Sequence, residues 1–135
     1  MASALFKKIL CLVDFDRVSV PAIELVQKLA LQNDATVYLL YVVPGPSLPA
    51  DLEEVARDNM RGVAQKWLAK KVEHEIVVSS GKPAAGIVNA QQTLGVDLIV
   101  MATHGRTGAD HSRLGSVAEQ VIRLSSCPVV TVRPR

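Results

Sequence analysis

The chain has 135 residues, a net charge of +2 and only 4% aromatic residues; it is the size of one ordinary domain, and nucleic-acid binding has neither electrostatic nor stacking support. The hydrophobic share of 49% rests on Val, Leu, Ile and Ala, which suits buried parallel strands and the helices packed on them. His74, His104 and His111 are scattered with no cysteine pair beside them, so the spacing holds no metal-ligand set.

Lys8 to Val13 reads as a first buried strand, broken by Asp14-Phe15-Asp16. The apolar run from Leu5 to Val13 is interrupted by Lys7 and Lys8. It is neither a secretory signal nor a membrane span, and a cytoplasmic protein is expected. Pro21 suits a first helical turn, and Ile23, Val26 and Ala30, flanked by Ala22 and Leu29, mark one helical face that ends at Asn33-Asp34. Thr36 to Val43 is a second strand, followed by the stiff loop Pro44-Gly45-Pro46-Ser47-Leu48-Pro49. Asp51 is placed to cap the next helix, whose stripe is Leu52, Ala56, Met60, Val63 and Trp67.

Glu75 to Val78 is a short, more polar strand of the kind found at a sheet edge. Gly81-Lys82-Pro83 turns into a helix with Ala84, Ile87, Val88 and Leu94 on one side and Gly95 at its C-terminal cap. Asp97 to Ala102 is a fourth strand, Val117 to about Ser125 a fourth helix, and Pro128 to Val132 a fifth strand. Cys11 and Cys127 both fall in apolar runs that read as strands, so two buried, inert thiols are expected. Strands alternating with helices, with no linker or repeat, predict one α/β domain over 1–135 with a mostly parallel sheet covered on both faces.

The fourth strand runs into Met101-Ala102-Thr103-His104-Gly105; nine residues later comes Gly115-Ser116, which opens the last helix. Such a strand-to-helix loop with spaced glycines presents backbone N–H groups and the positive end of a helix dipole, a common way to hold phosphate. Ligands in parallel α/β sheets bind beyond the carboxyl ends of the strands where strand order reverses. If strands one and four are neighbours, Asp14 and the segment from Ala102 to Gly105 converge there.

Most of these positions also have a plainer role. Asp14 suits a turn whose side chain bonds nearby N–H groups. Gly105 and Gly115 can supply positive φ in a surface loop. Ser116-Val117-Ala118-Glu119 matches a capping box, with Ser116 as N-cap. Arg106 suits a solvated loop charge. His104 and His111 have no identifiable nucleophile or base partner. No P-loop lysine, kinase motif set or metal-binding carboxylate pair is present, so no enzymatic activity and no catalytic residue is predicted.

The chain resembles the universal stress protein family from end to end. Three segments carry the match. They are Lys7-Lys8-Ile9-Leu10-Cys11-Leu12-Val13-Asp14, the run from Gly95 to Gly108, and Leu114-Gly115-Ser116-Val117-Ala118-Glu119 together with Cys127-Pro128-Val129-Val130. The resemblance implies a doubly wound five-stranded parallel sheet in the order 3-2-1-4-5, helices on both faces, and a dimer. Some members bind ATP through Gly, two residues, Gly, nine residues, Gly and then Ser or Thr, while others bind no nucleotide. Here the first position is Ala102, followed at the family spacing by Gly105, Gly115 and Ser116.

By that resemblance, an adenine nucleotide such as ATP, with magnesium only alongside it, would meet Leu12, Val13 and Met101 as apolar walls. Asp14 would address the base or ribose, and the Val42 backbone the adenine edge. Ala102, Gly105, Arg106, Gly115, Ser116 and Val117 would line the phosphates. Ala102, with Asp16 and Asp110 as added negative charges, favours the alternative of a dimeric interaction module without nucleotide. Arg113 is placed to attract phosphate. In the implied order, Pro128 to Val132 is an apolar sheet edge, and a homodimer through it is expected. Its contact would use either Val130 and Val132 or their neighbours Val129 and Thr131.

Overall fold

The structure, a computed structural model, describes residues 5–14, 20–103 and 115–133. In chain order the elements are β1 (Lys8–Leu12), α1 (Val20–Asn33), β2 (Thr36–Val43), α2 (Ala50–Trp67), β3 (His74–Ser80), α3 (Pro83–Leu94), β4 (Leu98–Ala102), α4 (Ser116–Leu124) and β5 (Val129–Val132). The strands form one five-stranded sheet, β3-β2-β1-β4-β5, with every neighbouring pair parallel. The expected architecture and order are both present.

The central strands are buried on both faces, which explains their unbroken apolar sequence. Alternate side chains divide between two cores. Ile9, Cys11, Val13, Val37, Leu39, Leu98 and Val100 face α1 and α2, against Ala22, Ile23, Val26, Ala30, Met60 and Ala64. Leu10, Leu40, Val42, Ile99 and Met101 face α3 and α4, against Ala84, Ile87, Ala118 and Val121.

Local chemistry sets the boundaries. Asp34, at φ 53°, ends α1 in the left-handed region, and Gly95, at φ 67°, ends α3 the same way. β4 begins at Leu98 rather than at the expected Asp97. The Asp97 carboxylate instead accepts hydrogen bonds from the backbone N–H groups of Lys7 (3.0 Å) and Lys8 (3.2 Å). It thus ties the entry of β1 to the entry of β4.

Several expectations are corrected. Asp51 does not cap α2: the N-cap is Pro49, without a side-chain cap, and Asp51 sits in the first turn, where a negative charge complements the helix dipole. Leu52 is exposed; the buried line of α2 is Ala56, Met60 and Ala64. β3 extends past Val78 to Ser80 because the ladder with β2 continues to Val43 opposite Ser80. Cys127 lies before β5 and is half-buried, so only Cys11 is a buried strand thiol. Both thiols are free.

Candidate functional site

From β1 the chain builds outward to β2 and β3 on one side, then returns to place β4 and β5 on the other. Strand order therefore reverses between β1 and β4, which pair directly, with Cys11 opposite Val100. The ends of these strands, Leu12 and Ala102, open the crevice where such sheets take their ligands. β4 and β5 are parallel, so α4 between them runs antiparallel to both. Its N-terminus, at Gly115-Ser116-Val117, lies at the carboxyl edge of the sheet, with first-turn N–H groups that have no intrahelical partner and the positive end of the helix dipole.

The two-residue period of the strands divides the expected apolar walls. Leu12, Met101, Val42 and Val117 share the α3/α4 side, Leu12 and Val117 half-buried. Val13 and Ala102 belong to the α1 side. Val13 is 1% exposed, and its N–H donates to the Leu40 carbonyl at 2.8 Å. Its side chain is a core group, as is that of Met101 at 2% exposed, so neither expected wall presents an open apolar surface. The Ala102 methyl is half-buried against the same α1-side core. Asp14 follows Val13 and is exposed.

At the start of α4 the capping-box expectation is corrected. Gly115 is the N-cap, and no side chain caps the helix. Ser116 is the first helical residue, one position too late to serve as N-cap, and it is exposed. The positive-φ role for Gly115 also falls, since φ is −69° with extended ψ, a conformation open to any residue. Gly105, Arg106, His104 and His111 lie outside the described residues, as do Asp16, Asp110 and Arg113.

Three residues that the sequence reading passed over support this end of the molecule. Thr103, 7% exposed, donates its N–H to the Val132 carbonyl at 2.8 Å and pins the exit of β4 to β5. Gly86 packs α3 onto β2 and β3: a Cβ there would lie 2.9 Å from Val42 Cγ2 and 3.3 Å from Ser79 Oγ. Gln91, 6% exposed, donates through Nε2 to Ser126 Oγ at 3.0 Å and holds the approach to β5 against α3. A glycine inside a helical pattern is the only one of these signals visible in sequence.

Among the described residues, the half-buried Leu12 and Val117, the exposed Asp14 and the N-terminus of α4 lie at this end of the sheet. Among the described residues no three His, Cys, Asp or Glu side chains converge to hold a metal, and no helix is long and apolar enough to cross a membrane.

The universal stress protein family model matches residues 5–133. The chain is 37% identical to universal stress protein MJ0531 of Methanocaldococcus jannaschii, covering 96% of this chain and 83% of that protein. Among solved structures, the hypothetical protein MJ0577 superposes with a TM-score of 0.84 at 29% identity, over 97% of this chain and 98% of that one. The universal stress protein of Archaeoglobus fulgidus in complex with dAMP superposes with a TM-score of 0.69 at 23% identity, over 94% and 98% of the two chains.

Proposed function

The chain belongs to the universal stress protein family, and from that premise we propose that it is a cytoplasmic, non-enzymatic regulatory protein that holds an adenine nucleotide, ATP in the first instance, beyond the ends of β1 and β4. The observation that carries this reading is that half-buried Leu12 and Val117 and the N-terminus of α4 lie on one side of the sheet at the point where strand order reverses. The base would lie on the apolar side chains, and the phosphates would take the first-turn N–H groups of α4 at Ser116 and Val117, which have no intrahelical partner. An exposed Ser116 hydroxyl, uncommitted to capping, would add a donor. A protein of the same fold holds dAMP, which shows that such a sheet can carry an adenine nucleotide.

Ala102 favours the second reading, an interaction module of the same fold that binds no nucleotide. It stands where the nucleotide-binding pattern has its first glycine. In either case the protein would act as a homodimer joined at the β5 edge.

Heat denaturation of the purified protein, followed by chromatography of what it releases, and calorimetry with ATP with and without magnesium, separate the two readings. Binding that is lost in a folded Gly115→Val protein supports the first. The extended φ and ψ of Gly115 suit valine, so the variant reports close approach of a ligand rather than backbone strain. No heat of binding and no thermal shift at millimolar ATP would leave the interaction module.

A further inference from the structure

α2 links two parallel strands, so it runs antiparallel to them, and its C-terminal half lies at the amino edge of the sheet, the end opposite the crevice. There it flanks β3, the outermost strand on its side. Arg61 and Ala64 of this flank, with Leu68, Lys70 and His74 beyond it, line a groove of about 390 Å³. Ala64 and Leu68 are buried and give it an apolar floor, whereas Arg61, Lys70 and His74 are exposed along its rim.

The charge around this groove is one-sided. From 59 to 72 the chain carries Arg61, Lys66, Lys70 and Lys71 and no acidic residue. Lys66 is engaged with the Trp67 ring, its Nζ 5.3 Å from the centroid. Arg61 donates to Asp58 on the surface, but a guanidinium has five donors and that pair uses one of them. The acids that flank His74 in sequence are turned away. Glu75 stands opposite Tyr38, on the α3 side of the sheet, and Glu73 lines a hollow with both.

The backbone adds a second means of recognition. Val37 N–H donates to the Glu73 carbonyl at 2.9 Å, so His74 turns its own N–H and carbonyl away from β2, toward the rim. An extended segment laid beside β3 can pair with them. It cannot run on along the strand, because Arg57 crosses the edge. Its Nη1 donates to the outward Ile76 carbonyl at 3.1 Å, while Nε donates to Glu53 Oε2 at 3.0 Å. The groove therefore takes a short segment and stops it at Ile76.

We propose that this groove docks a short extended segment of a partner protein, acidic in charge and with an apolar side chain seated over Ala64 and Leu68. The acidic charge answers Arg61 and Lys70. The concave shape suits a peptide rather than the flat face of a membrane. The chain's own acidic run, Asp51 to Asp58, is committed to α2, so the occupant is another protein and not a second copy. The groove lies away from the crevice and stands whether or not a nucleotide is held there.

The test is fluorescence anisotropy on the full-length protein with labelled synthetic peptides. The probe alternates glutamate and leucine; one control replaces its leucines by serine, and another its glutamates by lysine. The probe is expected to bind at least about tenfold more tightly than either control, and to weaken as salt rises. Arg61→Glu and Lys70→Glu change exposed side chains, so both should keep a native far-UV spectrum, and each should weaken the probe at least about tenfold. Lys82→Glu makes the same charge change at the other end of the sheet, before α3, and should leave probe binding unchanged. Equal binding of the serine control would remove the apolar seat, and equal losses in Lys82→Glu and Lys70→Glu would reduce the attraction to net charge; either overturns the proposal. So would a probe that fails to bind, and if phosphatidylserine vesicles bind instead, the basic rim belongs to a membrane. A fall in sedimentation mass on Lys70→Glu would give the groove to a second copy and overturn the choice of partner.

Discussion

Gly86 and Gly62 are both helix-interior glycines, and they should respond in opposite ways to alanine. Gly62 sits on the exposed face of α2, and a Cβ there meets nothing within 4 Å. Gly62→Ala should therefore collect the full helix-propensity gain, about 0.8–1 kcal/mol. Gly86→Ala makes the same gain in α3, but its new methyl must displace Val42 Cγ2 at 2.9 Å and crowd Ser79 Oγ at 3.3 Å. Val42 is buried and β-branched, so its side chain has few other rotamers to move to. Overpacking of this kind costs about 1–3 kcal/mol. The net effect is then a loss of about 1 kcal/mol, and the gap between the two variants measures the rigidity of the contact. For 135 residues, 1 kcal/mol corresponds to about 3–4 °C in Tm. Urea unfolding and thermal melts followed by circular dichroism should show Gly62→Ala rising and Gly86→Ala falling by roughly that amount. Equal stabilisation of both would refute the reasoning, since Val42 would then be free to turn away and the packing of α3 on β2 would be soft.

Two more outcomes follow from the packing. Burial pushes the Cys11 thiol from 9.0 up to about 12. Between those values the unfolded chain has lost a proton that the folded chain keeps, so stability falls with rising pH by about 1.4 kcal/mol per unit. Cys11→Ala removes this dependence. Its stability deficit at pH 7 should shrink steadily from pH 9 to 11, and a deficit constant over that range in urea titrations would exclude a buried neutral thiol. Asp97→Ala deletes the carboxylate that receives the N–H groups of Lys7 and Lys8. It should lower stability by about 1 kcal/mol and speed amide exchange at those two residues selectively. Unchanged exchange there would show that the clamp does not order the start of β1.

The fold was legible because the strands and helices differ in period as well as in composition. Ile9, Leu10 and Cys11 are consecutive and all buried, the mark of a two-faced strand. Ile23, Val26 and Ala30 recur at helical steps and share one core. Gly95 was identifiable because αL geometry at a helix end selects glycine. What escaped depended on partners distant in the chain. Nothing local to Gln91 announces Ser126, 35 residues away, and the pattern instead drew attention to Val88 and Leu94. The site was legible as a place rather than as a shape. The sequence marked Leu12, Val13 and Met101 together, and only strand alternation separates Val13 onto the other face. The capping box at Ser116 matched in letters but not in phase, because α4 begins one residue earlier than the motif requires.

The position of β1 at the middle of the sheet has a consequence for how the protein is made. Of these five strands β1 leaves the ribosome before the others and can pair with β2 soon afterwards, but its other edge belongs to β4, where Ile9 meets Leu98. The residues between take about 5–18 seconds to synthesise at ordinary elongation rates. Throughout that interval the nascent chain carries an apolar strand with one ladder unmade, and Asp97, which anchors its start, has yet to emerge. A chain stalled or cut before Leu98 would keep that edge permanently open, and it should be the species most readily captured by chaperones that bind extended apolar segments.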